Sequence, residues 1–258
     1  MAAKTLQICF LAWSCACWVG CGRAIPDDAE QLARRLGGRV GNSSSDKKPL
    51  MMAFPYENLA ENSAKDIARI KTVKLLVLEG DKTPPNRISA LAELKALPRL
   101  GIIIKDAKTT EADLQKLAAM RLPLVDSLVL NGPDLTDKAA DYLVQIEGLE
   151  FLTLQNSRLT DAGVRRILGK HSQLRGLDLA GAQITDQIVP DLLRVQGLVI
   201  LGLEGTGLTE IGFKKLVALQ NLKYLKVGKT SFTDSALREI KKALPSCQVW
   251  DREGVPHR

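Results

Sequence analysis

The sequence predicts an α/β solenoid, with a curved parallel sheet on its concave side and helices on its convex side. Three observations predict it. One segment pattern recurs five times at an almost fixed period. Within each copy, apolar residues alternate as they do in a strand. After each copy, apolar residues return at helical spacing behind a Thr-Asp or Thr-Glu pair.

The copies are VDSLVLNGPDLTD from Val125, LEFLTLQNSRLTD from Leu149, LRGLDLAGAQITD from Leu174, LVILGLEGTGLTE from Leu198 and LKYLKVGKTSFTD from Leu222, so successive starts lie 24, 25, 24 and 24 residues apart. Weaker copies begin at Val73 and Leu100. A degenerate one begins at Met51, with Phe54 and Tyr56 in its core slots, and a partial one at Cys247.

Each part of the unit has a physical reason. Alternate strand residues share a face, so Leu152 and Leu154, Leu177 and Leu179, and Leu201 and Leu203 point inward while Phe151 and Thr153 point outward. Ser157, Ala182, Thr206 and Thr230 occupy the turn that follows, where a small hydroxyl can bond nearby backbone. Thr136, Thr160, Thr185, Thr209 and Thr233 stand where a helix starts: Thr is a good N-cap, and the acid after it opposes the helix dipole. Each acid is thereby assigned to its own helix rather than to a cation site. Val164/Ile167/Leu168, Phe213/Leu216/Val217 and Leu237/Ile240 form the buried stripes. Pro190, about one turn into its helix, predicts a late or distorted start there.

The unit L-x-x-L-x-L-x-x-(small or hydroxyl)-x-(L/I/F)-T-(D/E) resembles the leucine-rich-repeat family. It is similar to the subtype with Thr-Asp before each helix, the cysteine-containing or ribonuclease-inhibitor-like one. The resemblance covers residues 50–250 and implies a binding protein rather than an enzyme. A single repeat cannot bury its own leucines, so neighbours must stack. Seven or eight strands at about 4.8 Å spacing give a sheet roughly 30–35 Å long.

Both ends need caps. Residues 25–36, with Leu32 and Leu36 on one face, form a candidate N-terminal capping helix stopped by Gly37-Gly38. Residues 42–49 are a polar linker, so 22–49 precede the repeat domain. Trp250 and the charged tail 251–258 close the other end.

The first 21 residues read as an export signal: a short basic start with Lys4, an apolar run from 6 to 19, then Gly20-Cys21. The run is too short for a membrane span of about 20 apolar residues. Val19-Gly20-Cys21 resembles a bacterial lipobox, with Trp18 where Leu is usual, and the chain as a whole is similar to bacterial exported leucine-rich-repeat lipoproteins. That resemblance implies cleavage before Cys21, acylation of Cys21 and a place in the cell envelope.

Composition limits the remaining classes. Of 258 residues 45% are hydrophobic but only 4% aromatic, so the core is aliphatic. The net charge of +7 hints at acidic partners, although no single run carries it. Four of the five cysteines lie within the first 21 residues, which leaves Cys247 alone and no disulfide framework. His171, expected in a loop between repeats, and His257 have no ligand-like neighbours, so no metal is expected. No phosphate loop and no G-x-S-x-G elbow is present, so neither an enzyme nor a cofactor is expected. Nucleic acid is not an expected partner, because aromatic interleaving in a basic face is missing.

The exposed strand positions are the candidate site. One column reads Leu75, Ile102, Ser127, Phe151, Gly176, Ile200, Tyr224; the other reads Val77, Ile104, Val129, Thr153, Asp178, Gly202, Lys226. The partner-binding set drawn from this face is Leu75, Ile102, Val129, Phe151, Thr153, Arg175, Asp178, Ile200, Tyr224 and Lys226, with Phe151 and Tyr224 as aromatic anchors. A second candidate is basic: Arg165, Lys214 and Arg238, each 16 residues after its repeat start, with Arg166 and Lys215 beside them. It is either a solvated helix face or a contact for anionic head groups.

The expected function is a protein-binding scaffold or receptor of the bacterial envelope. One alternative is an envelope structural protein that binds glycan through its two aromatics and Gln155. The other is an intracellular F-box-type ligase adaptor, for which residues 22–48 are short and polar.

Overall fold

The structure, a computed structural model, describes residues 27–42, 50–55, 58–70, 73–80, 93–94, 100–104, 110–121, 125–228, 233–250 and 256–257. Cys21, the apolar segment before it, Tyr56 and most of the polar linker lie outside these residues.

The chain is an α/β solenoid, as the sequence predicts. Among the described residues eleven strands form one sheet whose spatial order is their order in sequence. They are β1 (Arg39–Asn42), β2 (Leu50–Pro55), β3 (Val73–Gly80), β4 (Leu100–Ile104), β5 (Val125–Asn131), β6 (Phe151–Gln155), β7 (Gly176–Asp178), β8 (Ile200–Gly202), β9 (Tyr224–Lys226), β10 (Gln248–Trp250) and β11 (Pro256–His257). Strands β2 to β10 pair in parallel, while β1 and β11 pair antiparallel at the two ends. Nine parallel strands at about 4.8 Å spacing extend roughly 38 Å, a little beyond the sequence expectation.

The helices lie behind the sheet: α1 (Asp27–Arg35), α2 (Glu61–Arg69), α3 (Glu111–Ala119), α4 (Asp137–Leu143), α5 (Asp161–Lys170), α6 (Val189–Leu192), α7 (Glu210–Lys215) and α8 (Asp234–Ala243). One aliphatic core runs between the layers. Leu152, Leu154, Leu177, Leu179, Leu201, Leu203 and Leu225 are completely buried, as are Val164, Phe213 and Leu216 from the helices. Val217 and Leu237 pack against this core from its edge.

Helix α1 covers the N-terminal end. Gly37 adopts φ +67° at its stop, and Gly38 N–H reaches back to Ala33 O at 2.7 Å. A Cβ on Gly38 would sit 2.3 Å from Ala53 O, so only glycine lets this turn press against β2.

Four of the strand-to-helix turns share a positive-φ residue at the eighth place of the copy: Gly132, Asn156, Gly181 and Gly205. Asn tolerates that conformation better than most side chains. Asn156, Gly181 and Gly205 donate their N–H to carbonyls of the next coil at 2.7, 2.7 and 3.1 Å. One place further on, Thr206 Oγ1 donates to Leu203 O at 2.8 Å, whereas the buried Ser157 hydroxyl has no partner. In the Pro190 repeat a 3₁₀ turn, Asp186–Ile188, precedes a four-residue α6, the late start that proline predicts.

The Thr-Asp pairs do more than their own helices require. Thr160 Oγ1 accepts from Ala162 N–H at 3.3 Å, as an N-cap should. Its hydroxyl also donates to Asp137 Oδ2 of the preceding coil at 2.6 Å, and its N–H to Asp137 Oδ1 at 2.7 Å. Thr185 repeats this on Asp161 at 2.6 and 2.9 Å, and Thr209 on Asp186. Thr136 and Thr233 donate to Glu111 and Glu210. This corrects the assignment of each acid to its own helix: the carboxylate clamps the cap of the next coil. Room for it comes from Gly163 and Gly212, where a Cβ would lie 2.3 Å from Asp137 Oδ1 and 2.0 Å from Asp186 Oδ1.

Candidate partner-binding face

Register places the candidate residues. One row across the sheet runs Val77, Gly101, Ser127, Phe151, Gly176, Ile200, Tyr224, Gln248. The next runs Glu79, Ile103, Val129, Thr153, Asp178, Gly202, Lys226, Trp250. From β5 to β9 these are the two expected columns.

Before β5 they are not. Between β4 and β5 the register slips by one residue at Leu100/Gly101, so Ile102 pairs with Leu128 and Leu78. A one-residue slip moves a residue to the other face of the sheet. Ile102 therefore stands in register with Leu128 rather than with Ser127. Leu75 pairs with Met51 and stands one step outside the row of Phe151, where Val77 takes its place.

Exposure divides what remains. Ser127, Val129, Phe151 and Gln155 are half-buried, and Arg175 is exposed. Further along, Ile200 is 1% and Tyr224 7% exposed, and burial raises the Tyr224 phenol above its ordinary pKa. The expected accessible strip thus closes over β7–β9. Phe151 stays accessible, and Tyr224 does not.

A buried polar group occupies the closed part. Asp178 is fully buried: it accepts from Gln155 Nε2 at 2.9 Å and from Ala180 N–H at 3.1 Å, and Lys226 Nζ lies 3.6 Å away. Asp178, Gly202 and Lys226 are direct register partners across three strands. A Cβ on Gly202 would lie 2.5 Å from the Asp178 carboxyl carbon. The carboxylate can lie over β8 toward Lys226 only because Gly202 has no side chain. Thr153, the Asp178 neighbour on β6, is also buried. Asp178, Thr153 and Lys226 are therefore part of the floor of this face, while Phe151 and Arg175 stand at its surface. Sequence reasoning placed Gly202 in the column but gave it no role; its signal is a glycine in mid-strand beside an aspartate on the neighbouring strand.

His171 lies between repeats, as expected, where it is the C-cap of α5. It is 1% exposed, with Nε2 3.0 Å from Leu143 O, the last residue of α4. Desolvation holds its pKa below the ordinary imidazole value. Cys247 is buried, and desolvation pushes its thiol up to about 11, the opposite of a reactive cysteine. On the helices, Arg165 pairs with Asp191 at 2.9 Å, Arg166 with Asp141 at 2.6 Å, and Lys214 with Glu239 at 2.9 Å and Glu210 at 3.1 Å.

No protein-family model matches the chain, and no curated protein matches it. Solved structures do. An internalin from Listeria monocytogenes aligns over 72% of this chain and 56% of its own, at 16% identity and a TM-score of 0.42. A leucine-rich-repeat protein from Leptospira interrogans aligns over 72% and 50%, at 15% identity and a TM-score of 0.41. The chain spans about half the length of these structures.

Proposed function

We propose that this chain is a non-enzymatic scaffold that binds a protein partner through the concave face of its sheet. One observation carries the reading: Phe151 stays accessible at the middle of an extended sheet face, on a floor fixed by Asp178, Gln155 and Lys226. A half-buried aromatic on a rigid floor is the usual form of an interface anchor. Ser127 and Val129 flank it on β5, and Arg175 supplies an exposed charge at its border.

The export signal and the lipobox-like Val19-Gly20-Cys21 support a site of action in the bacterial envelope, with the solenoid tethered through an acylated Cys21. Envelope extract passed over the immobilised protein, with captured proteins identified by mass spectrometry, tests the binding reading. Phe151→Ala should lose the captured partner while melting like the wild type; undiminished capture would remove Phe151 from the interface. Metabolic labelling with a fatty-acid probe tests the tether, which is wrong if Cys21→Ser labels as well as the wild type.

A further inference from the structure

The positive charge of the chain is concentrated at its C-terminal end. Residues 211–258 hold ten Lys/Arg against four Asp/Glu, a surplus of six out of the net +7. Earlier along the convex side Arg165, Arg166 and Arg194 each meet a carboxylate within 3.0 Å, while Lys116, Arg121 and Lys170 form no ion pair with a described residue. On the last two coils Lys214 is paired with Glu210 and Glu239. Four further cations gather beside it. Lys215 on α7 and Arg238, Lys241 and Lys242 on α8 form no ion pair with a described residue.

These groups share a surface. Lys215, Arg238 and Lys242 are exposed and Lys241 is half-buried. Arg238 and Lys242 are one turn apart on α8, and α7 packs against α8 in the adjacent coil. One turn before Lys215, on the same side of α7, stands Ile211, 68% exposed and the one large hydrophobic side chain that is exposed among the described residues.

We propose that this C-terminal convex patch docks on an anionic phospholipid bilayer, with Lys215, Arg238 and Lys242 against the head groups and Ile211 entering the interface. Cations beside an exposed aliphatic side chain are the combination an interfacial contact needs. A soluble polyanion would engage the same cations but leave Ile211 in water. No helix among the described residues is long and apolar enough to span a membrane, so the contact is peripheral. The patch is on the opposite side of the molecule from Phe151 and leaves that face free.

Sedimentation of the full chain with phosphatidylcholine vesicles, with and without phosphatidylglycerol, tests this. The neutral vesicles measure what the N-terminal segment contributes. The triple variant K215Q/R238Q/K242Q should lose about 100-fold in partitioning to the anionic vesicles, at roughly five-fold per cation near the surface. Its binding to neutral vesicles should not change. The variant K116Q/R121Q/K170Q removes the same charge elsewhere and should retain most of the anionic binding. A polarity-sensitive fluorophore on Ile211→Cys should shift to the blue on anionic vesicles. Equal losses for the two triple variants would reduce the effect to net charge and overturn the patch. A fluorophore that stays in water, with the triple variant losing instead the binding of soluble polyglutamate, would replace the bilayer with an acidic polypeptide.

Discussion

Gly202 governs where the neighbouring Asp178 side chain can lie. Asp178 is enclosed by β6, β8 and β9, and its carboxylate occupies the volume a side chain at 202 would fill. Overpacking of this kind costs about 1–3 kcal/mol. Gly202→Ala should therefore destabilise the fold by that amount in urea denaturation. The cost should largely vanish in an Asp178→Ala background, because the clash goes with the carboxylate. A double-mutant cycle measures the coupling, and additive effects would show that the two residues do not contend for the same space. None of this was legible at residue 178 alone. The sequence displays an aspartate in a strand, and its burial depends on three other strands that reach it only in the folded sheet.

Helix ends are joined from coil to coil, and here sequence and structure part company in an instructive way. The Thr-Asp pairs were legible as caps because a cap is local, formed within three residues. The reach of each Asp to the following Thr was not, since the partners lie 23 or 24 residues apart. Strand β4 failed for the opposite reason. Ile102, Ile103 and Ile104 are apolar at every position, so alternation cannot fix their register, which a one-residue irregularity at Leu100/Gly101 shifts. His171 belongs with the helix ends: its Nε2–H donates to Leu143 O at the end of α4, a carbonyl that also accepts from Ile146 N–H, and the neutral ring then carries its buried Nδ1 without a proton. Its folded pKa lies below the ordinary 6.5, so the unfolded chain binds the proton more readily. The stabilisation is complete above pH 6.5 and is lost as pH falls through the lowered folded value. Denaturation midpoints at neutral and mildly acid pH should show this loss in the wild type and a flatter profile in His171→Gln, which keeps a donor for Leu143 O. Parallel profiles would leave His171 without a part in acid sensitivity.

Across the whole molecule each coil contacts chiefly its neighbours, so stability accumulates coil by coil. Removal of residues 174–197, one 24-residue unit, brings Asp161 to the cap of Thr209 and β6 beside β8. The shortened chain should fold, melt in one transition and keep the accessible Phe151. Circular dichroism melting would show it, and loss of cooperative unfolding would mean that the coils are not interchangeable. The repeated layout was legible because period and pattern are properties of the chain itself. The closure of the concave strip at Ile200 and Tyr224 was not, because it depends on what lies across the sheet rather than along it.

The Thr-to-carboxylate clamps give the solenoid a direction. From Glu111 to Thr233 each coil passes an acceptor forward to the next cap. Among the described residues the series begins at Thr110, whose N–H and hydroxyl turn to Asp113 Oδ2 of its own helix at 3.1 and 2.8 Å, with Asp113 N–H returning to Thr110 Oγ1 at 3.2 Å. Growth by duplication behind this self-sufficient coil would leave every new cap answered. An array can therefore lengthen or shorten by whole units after Thr110 while its founding turn stays the same.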